Sequence, residues 1–238
     1  IKRVTLELGG KSPNIIFADA DLEAAAAAAP MAVFDNSGQD CCARSRILVM
    51  SSAYEKFLGL LEPHVTALTV GDPLAAGTDM GPLIDEAAQR RLLDAIAHAE
   101  RTATVAYRYP ASRLPQGGSF VGPTLVTDVS RQDRLAREEL FGPLVCVFRV
   151  DSFEEGIVLA NDTDYALTGG VYSRSPSHLD EAMRAFDVGN LYLNRPITGA
   201  MVGRQPFGGH RLSGLGTKAG GPDYLLQLVL PKTICTNT

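Results

Sequence analysis

Short apolar runs of strand length alternate with helical patterns along most of this 238-residue chain. The clearest is Leu144–Phe148, which contains no charged residue and is typical of a strand buried on both faces of a parallel sheet. Strands are also predicted at 46–50, 68–70, 102–107, 168–173 and 189–193, and helices from 19–23 toward 36, from 52, and at 86–100, 152–161 and 176–187. We therefore expect an α/β fold, a mostly parallel twisted sheet with helices on both faces.

The charge and composition are those of an ordinary globular protein. There are 22 basic and 27 acidic residues, giving a net charge of −5, and 45% of the residues are hydrophobic. No basic block is present, so we expect no nucleic-acid partner. The longest apolar stretch, Ala24–Val33, is too short to span a bilayer and is interrupted by Pro30, which predicts a kink or a second helical segment. We expect no membrane partner.

Four cysteines are distributed in a way that does not suggest a secreted disulfide framework. Two are adjacent, Cys41 and Cys42, and the others are the distant Cys146 and Cys235. We interpret all four as reduced thiols, which predicts a cytoplasmic location. The pattern offers no set of residues typical of a resident metal, and none is predicted.

The adjacent cysteines lie between two apolar runs of different type. Met31–Phe34 is typical of the end of a buried helix, and Ile47–Met50 of a buried strand. The polar and small residues between them predict a tight turn that displays a thiol with backbone N–H groups free beside it, as a nucleophile requires. By itself the pattern would fit two small buried hydrophobes equally well.

A single carboxylate, Glu7, lies between Leu6 and Leu8 and is followed by Gly9-Gly10. Such a group is expected to be poorly solvated, which suits a general base. The alternative is an ordinary glutamate at a strand edge.

Taken together, these segments resemble the aldehyde dehydrogenase superfamily. The resemblance rests on Leu6-Glu7-Leu8-Gly9-Gly10-Lys11-Ser12-Pro13, on Gly38-Gln39 with Cys41 and Ser45-Arg46, and on further matches in the same order. Those matches are Gly71-Asp72-Pro73, Met80-Gly81-Pro82, Glu138-Glu139-Leu140-Phe141-Gly142-Pro143, Pro206-Phe207-Gly208-Gly209 and Ser213-Gly214. They span nearly the whole chain.

The resemblance implies an enzyme that oxidises a small aldehyde to a carboxylate with NAD or NADP. Cys41 would be the nucleophile that forms a thiohemiacetal and then a thioester, and Glu7 the base that activates the hydrolytic water. Glu139, Phe141 and Leu8 would contact the nicotinamide ribose end of the cofactor. A second oxyanion donor of the family, an asparagine, would precede this chain. Neither Gly117-Gly118 nor Gly169-Gly170 has the strand–turn–helix setting of a dinucleotide site.

The region from Asp187 to Gly209, with Lys218–Leu225, is similar to the 1-pyrroline-5-carboxylate dehydrogenase branch, which oxidises glutamate γ-semialdehyde. The resemblance implies that Gly199 and Ala200 hold the substrate carboxylate and that Phe207 packs on its methylenes. A glycine-rich loop can expose N–H groups to an anion, although it can equally be a simple turn. Cys42 stands where that branch usually has serine, which leaves another semialdehyde or an amino-aldehyde open as the substrate.

The resemblance also suggests a division of the chain. We expect a catalytic domain over 1–220 and a C-terminal strand or oligomerisation arm over 221–238. The chain opens on a strand already in progress, so it is predicted to be the C-terminal half of a longer enzyme whose cofactor domain lies upstream. The apolar run Tyr224–Leu230 predicts an edge strand that pairs with another subunit or another domain. We also expect a homo-oligomer. A non-catalytic assembly module remains the alternative.

Overall fold

A seven-stranded, mostly parallel sheet forms the centre of the molecule. The computed structural model describes residues 2–237. The strands are β1 (Leu6–Glu7), β2 (Pro13–Ile16), β3 (Arg46–Met50), β4 (Thr104–Arg108), β5 (Thr124–Thr127), β6 (Leu144–Val150), β7 (Tyr165–Ala166), β8 (Thr168–Tyr172), β9 (Asn190–Leu193), β10 (His210–Arg211) and β11 (Gly214–Leu215). The helices are α1 (Leu22–Phe34), α2 (Tyr54–Thr66), α3 (Glu86–Thr102), α4 (Arg134–Arg137), α5 (Phe153–Asn161) and α6 (Pro176–Ala185).

The central sheet has the strand order β4-β5-β6-β3-β2-β8-β9. Every neighbouring pair is parallel except β4 with β5, which is antiparallel and contains a register shift between Val105 and Tyr107. Two small antiparallel ribbons, β1 with β11 and β7 with β10, lie outside this sheet. Because β2, β3 and β6 are adjacent and parallel, the loops that enter them meet at one edge of the sheet, which we call the amino edge.

Helices cover both faces of the sheet, and the strands are apolar on both sides for that reason. Ile47 and Val49 of β3 pack in the cluster that holds α1 and α2. Leu48, between them, packs in the opposite cluster with α3, α5 and α6. Since successive strand residues point to opposite faces, a strand covered on both sides needs apolar residues throughout. The prediction of a parallel α/β sheet is confirmed.

Helix α1 begins where the sequence indicates and crosses Pro30 as a single helix. The Asp21 side chain accepts a hydrogen bond of 3.0 Å from Ala24 N–H, which caps the first turn. The predicted second helical segment is therefore wrong. After Phe34 the chain tightens into a 3-10 turn, Asp35–Gly38, which leads to the cysteines.

The predicted C-terminal strand at 224–230 is wrong. Tyr224–Leu228 forms a 3-10 helix, with Tyr224 N–H donating to Gly221 O and Leu226 N–H donating to Asp223 O. A strand needs a partner edge, and within residues 2–237 this segment pairs with none. Local hydrogen bonds therefore satisfy its backbone, and its leucines stay exposed. The division of the chain at 220/221 remains a prediction.

No helix within residues 2–237 is long and apolar enough to cross a bilayer.

Candidate active site

Three loops meet at the amino edge, one before each of β2, β3 and β6. Gly10, which precedes β2, donates its N–H to Glu139 Oε1 at 2.8 Å. A Cβ atom on Gly10 would lie 2.3 Å from the backbone oxygen of Cys41. The resemblance motifs that carry Glu7, Cys41 and Glu139 are therefore parts of one site, although long stretches of sequence separate them.

The turn before the cysteines has an unusual backbone. Asn36, Ser37 and Gly38 are consecutive residues with positive φ angles of 49°, 60° and 68°. Asparagine and glycine tolerate this left-handed region best. A Cβ on Gly38 would lie 2.5 Å from Gly142 O, so only glycine lets this turn approach the loop before β6.

A separate loop holds this turn in place. Ser37 Oγ donates to Gly81 O at 2.8 Å, and Ile84 N–H donates to Gln39 Oε1 at 2.9 Å. Gln39 also donates from Nε2 to Asn36 O at 3.2 Å. Gln39 and the Gly81-Pro82 segment thus hold the turn before the cysteines in place, and their sequence gave no signal of this beyond the resemblance.

Arg46, at the start of β3, is a buried cation whose hydrogen bonds are satisfied by backbone oxygens. Its Nε donates to Lys11 O at 2.9 Å, and its terminal nitrogens donate to Leu159 O at 2.9 Å and Ala160 O at 2.8 Å. The last two oxygens belong to the C-terminal end of α5, which favours a positive charge. Arg46 therefore joins the Gly10–Lys11 loop and α5 to the strand that follows the cysteines.

Cys41 is half-buried beside a second thiol and a carboxylate. Its pKa is raised far above the ordinary thiol value, most of all by hydrogen bonding with Cys42 and then by burial. The negative charges of Cys42 and Glu7, and a hydrogen bond with Glu7, raise it further. Glu7 is thus close enough to Cys41 for its charge to raise the pKa of the thiol.

The expected poor solvation of Glu7 is wrong for residues 2–237. Glu7 is exposed, and its neighbours Leu6 and Leu8 are 43% and 45% exposed. The reason is that β1 pairs with β11 as a two-stranded ribbon, and within the described part of the chain nothing covers its outer face. Leu8 donates its N–H to Ser213 O at 3.0 Å, which fixes the end of this ribbon.

Glu139 is half-buried in a cradle formed by two glycines. A Cβ on Gly9 would lie 2.1 Å from Glu139 Oε2, so the carboxylate occupies the space that any side chain at Gly9 would need. Burial raises the Glu139 pKa, while the Gly10 N–H and the Lys11 charge act in the opposite direction. Hydrogen bonds within residues 2–237 engage Oε1 only. The other oxygen remains available to a hydroxyl group of a ligand.

Phe141 is a bulky residue with a left-handed backbone, φ 53°, and its ring is 40% exposed. Such a conformation is costly for a non-glycine residue, by about 1–3 kcal/mol, and clusters at functional sites. Glu139 and Phe141 therefore offer a carboxylate and an aromatic face next to each other, which fits the ribose and the adjoining base of a nicotinamide nucleotide.

Lys11 is buried next to Glu139, and the sequence analysis did not name it as a candidate site residue. It is 1% exposed, and its ammonium group has no hydrogen-bond partner among residues 2–237. Burial lowers its pKa to about 8, while the nearby Glu139 carboxylate acts to raise it. Lys11 thus places a cation behind the Glu139 cradle. A lysine within Gly-Gly-Lys-Ser, directly before a buried strand, was the available signal.

The predicted substrate loop is joined to the cysteines by no hydrogen bond within the described residues. Gly199 has a positive φ of 77° and is exposed, as a turn glycine can be, and Ala200 is half-buried. Phe207 is half-buried, and its backbone pairs with Ala219 through hydrogen bonds of 2.9 and 2.7 Å. Within residues 2–237, no hydrogen bond joins Gly199, Ala200 or Phe207 to Cys41 or Cys42. Their role stays a prediction.

Comparison with known proteins extends over nearly the whole chain. The model of the aldehyde dehydrogenase family matches residues 1–234. The 1-pyrroline-5-carboxylate dehydrogenase of Bacillus cytotoxicus is 40% identical over 233 residues, which are 98% of this chain and 45% of that protein.

Solved structures agree with the sequence matches. A crystal structure of 1-pyrroline-5-carboxylate dehydrogenase from Thermus with bound NAD has a TM-score of 0.89 and 42% identity, over 94% of this chain and 43% of that one. Proline utilization A from Bdellovibrio bacteriovorus, inactivated by N-propargylglycine, has a TM-score of 0.91 and 42% identity, over 94% of this chain and 23% of that one. The chain spans a little under half the length of the curated relatives that it matches.

Proposed function

Because this chain belongs to the aldehyde dehydrogenase family, we propose that it carries the catalytic groups of an NAD(P)-dependent dehydrogenase that oxidises an aldehyde to a carboxylate. The observation that carries the proposal is the meeting of Cys41, Glu7 and Glu139 at one edge of the sheet. A nucleophile, a proton acceptor and a cofactor-binding carboxylate are the groups that this reaction needs.

In the proposed mechanism, the first step is attack of Cys41 Sγ on the aldehyde carbon. The raised pKa of the thiol means that attack must be accompanied by loss of its proton, and Glu7 lies beside the sulfur to accept it. The product is a thiohemiacetal whose oxygen carries the developing negative charge. The Cys41 N–H donates no hydrogen bond within residues 2–237, so it is available to that oxygen.

Oxidation converts the thiohemiacetal to a thioester on Cys41. Bound nicotinamide supplies the hydride acceptor for this chemistry. Glu139 would hold the ribose, Phe141 would pack beside it, and the Leu8 backbone would contact the amide. Glu7 would then take a proton from water, which attacks the thioester and releases the carboxylate product and the free thiol. Exposure of Glu7 to solvent supports its exchange of protons between the two steps.

We infer glutamate γ-semialdehyde as the substrate. The 40% identity to a 1-pyrroline-5-carboxylate dehydrogenase supports this choice, as does the pair of exposed Gly199 and half-buried Ala200, whose N–H groups could hold the α-carboxylate. Phe207 would pack on the methylenes and Cys42 would lie next to the bound chain. Cys42 itself favours a second candidate, another semialdehyde or an amino-aldehyde, since a thiol is a weaker hydrogen-bond donor than a hydroxyl.

We further propose a cytoplasmic homo-oligomer. Four free cysteines support a reducing compartment. Exposed leucines in the C-terminal segment, described under the fold, support association with another subunit.

The first test needs no cofactor, because an activated ester can acylate the same sulfur. We expect p-nitrophenyl acetate to release a burst of one equivalent of p-nitrophenolate, and we expect Cys41→Ala to abolish it. Cys235→Ala removes an exposed thiol and is the matched control, which should keep the burst. An undiminished burst in Cys41→Ala would refute the assignment of the nucleophile.

The second test is NADH or NADPH formation from a panel of aldehydes, with Cys41→Ala as the blank. We expect glutamate γ-semialdehyde to give the highest kcat/KM. A higher value for an amino-aldehyde would replace the first substrate assignment by the second.

A further inference from the structure

The adjacent cysteines and the preceding aspartate form a compact set of metal-ligand atoms. One carboxylate oxygen of Asp40 and the sulfur atoms of Cys41 and Cys42 all lie within 4.8 Å of one another. The three residues are consecutive in the chain, and Asp40 and Cys41 are half-buried while Cys42 is buried. The three groups therefore already face a common point.

This donor set has a preferred metal class. Two thiolates and one carboxylate suit zinc and related thiophilic divalent cations better than Mg²⁺ or Ca²⁺, which take oxygen ligands. Zinc–sulfur bonds are about 2.3 Å, so ligand atoms around one tetrahedral ion are separated by roughly 3.5–4 Å. The observed spacing needs only small side-chain rotations to reach that geometry. A water molecule would complete the four-coordinate set, as it does in open zinc sites.

We propose that Asp40, Cys41 and Cys42 form an inhibitory binding site for a thiophilic divalent cation of the zinc class. Binding replaces the thiol protons of both cysteines by bonds to the metal, and two protons are released for each ion bound. The sulfur of the proposed nucleophile, Cys41, would be bonded to the metal and unable to attack an aldehyde while the ion is present. Removal of the ion with a chelator would return the two thiols.

The inhibitory consequence rests on the proposed function, whereas the binding itself does not. Cys42 supplies the second soft ligand of the site. With serine at that position, as in the branch described above, only one soft ligand would remain next to Asp40. Cysteine in place of serine at position 42 therefore weakens a hydrogen bond to the substrate and provides a second thiolate for the metal.

The test is a titration of the fully reduced 238-residue chain with Co²⁺, whose thiolate complexes have a strong charge-transfer absorption. We expect one ion per chain, displacement of Co²⁺ by Zn²⁺, and release of protons measured in weakly buffered solution. Cys42→Ala should lose the charge-transfer band. Asp40→Asn should weaken binding by at least the roughly tenfold loss that follows removal of a group that merely supports a ligand. Cys235→Ala should bind like the parent chain.

Circular dichroism of each variant shows whether the fold is retained. Asp40 is half-buried and its substitution leaves both thiols in place, so Asp40→Asn tests the site even if Cys42→Ala fails to fold. The proposal is overturned if the parent chain gives no charge-transfer band, if folded Cys42→Ala or Asp40→Asn binds like the parent, or if Cys235→Ala abolishes binding.

Activity provides a separate readout. We expect Zn²⁺ to suppress the p-nitrophenolate burst of the parent chain and a chelator to restore it, with Asp40→Asn requiring at least tenfold more metal. A chain that binds Co²⁺ as described but gives no metal-free burst would refute the proposed function and leave the metal site standing. A burst that saturating Zn²⁺ leaves unchanged would refute the inhibitory role.

Discussion

In the proposed mechanism Glu7 acts twice, first by removing the thiol proton and later by activating water. Measuring the burst and the steady state of one variant, Glu7→Gln, examines the two steps separately. Glu7→Gln keeps the shape and removes the base. We expect the steady-state hydrolysis of p-nitrophenyl acetate to fall by roughly a hundredfold or more, because deacylation loses its general base. Stopped-flow measurement of the burst amplitude and of the steady rate checks this. We expect the burst to form more slowly as well, because Glu7 also accepts the thiol proton in the first step. An unchanged burst rate would show that Glu7 acts only after the thioester has formed.

Burial of the Lys11 ammonium group lowers the free energy of unfolding by an amount that depends on pH. Its pKa is about 8 in the folded chain against an ordinary value of 10.5, because burial disfavours the charged form. Between pH 8 and 10.5 the unfolded chain holds a proton that the folded chain has released, so stability rises with pH through this window. Below pH 8 the full penalty of about 3 kcal/mol applies.

We therefore expect Lys11→Met to raise the free energy of unfolding at pH 7 by about 3 kcal/mol and to flatten its rise between pH 8 and 10.5. Urea unfolding of parent and variant at a series of pH values measures the difference. Lys232→Met, at an exposed position, is the control and should follow the parent at every pH. An equal pH dependence in parent and Lys11→Met would show that Lys11 is not the titrating group.

At the scale of elements, the site depends on the close approach of the loops before β2 and β3. Gly10→Ala would place a Cβ 2.3 Å from the Cys41 backbone oxygen, so the cysteine turn must move. We expect a loss of about 1–3 kcal/mol in stability and a strongly reduced burst. The control is Gly59→Ala in α2, whose Cβ would meet nothing within 4 Å and which should stabilise the helix by up to about 1 kcal/mol. A normal burst in Gly10→Ala would contradict the contact.

Helix α3 begins at a capping aspartate, Asp85. Asp85 Oδ1 accepts from Ala88 N–H at 2.7 Å, and we expect Asp85→Ala to lower the free energy of unfolding by about 1 kcal/mol. Glu86→Ala is the comparison, since it breaks only an exposed pair with Arg90 at 3.6 Å and should cost less than about 0.5 kcal/mol. Thermal and urea unfolding measure both. Equal effects of the two substitutions would rule out the capping role.

The elements were more predictable than the way they meet. The helix start at Asp85 and the buried strand at Leu144–Phe148 depend on residues that are close together in the chain. A short stretch of sequence is therefore enough to predict them. The exposure of Glu7 was mispredicted because it depends on what lies over the β1–β11 ribbon, which is a tertiary property. Likewise, nothing near Lys11 in sequence indicates that Cys146 and Glu139 surround it. Such contacts depend on the order of the strands in the sheet, which short stretches of sequence do not determine.

At the scale of the whole molecule, the C-terminal segment is a candidate contact surface. The sequence predicted a strand at 224–230, which is wrong, but the exposed leucines of this segment still suit a contact with another subunit. Leu225, Leu226 and Leu228 are 70%, 65% and 68% exposed. We expect sedimentation velocity to detect self-association of the chain and the triple substitution of these leucines by serine to reduce it. Leu74→Ser, which changes a leucine that is 94% exposed elsewhere, should leave association unchanged. Association of the triple variant at the parent's level would move the contact to another surface.

The meeting of three distant loops at the amino edge also determines when the site can first exist. Cys41 leaves the ribosome before Glu139, whose carboxylate accepts the Gly10 N–H next to the cysteine turn. Strand β2 gains its second neighbour later still, when β8 emerges at Thr168–Tyr172. Until then the vicinal thiols of the nascent chain are without the loops that later enclose them. Protection of those thiols from alkylation should therefore begin late in synthesis, after the sixth strand of the central sheet, β8, has been made.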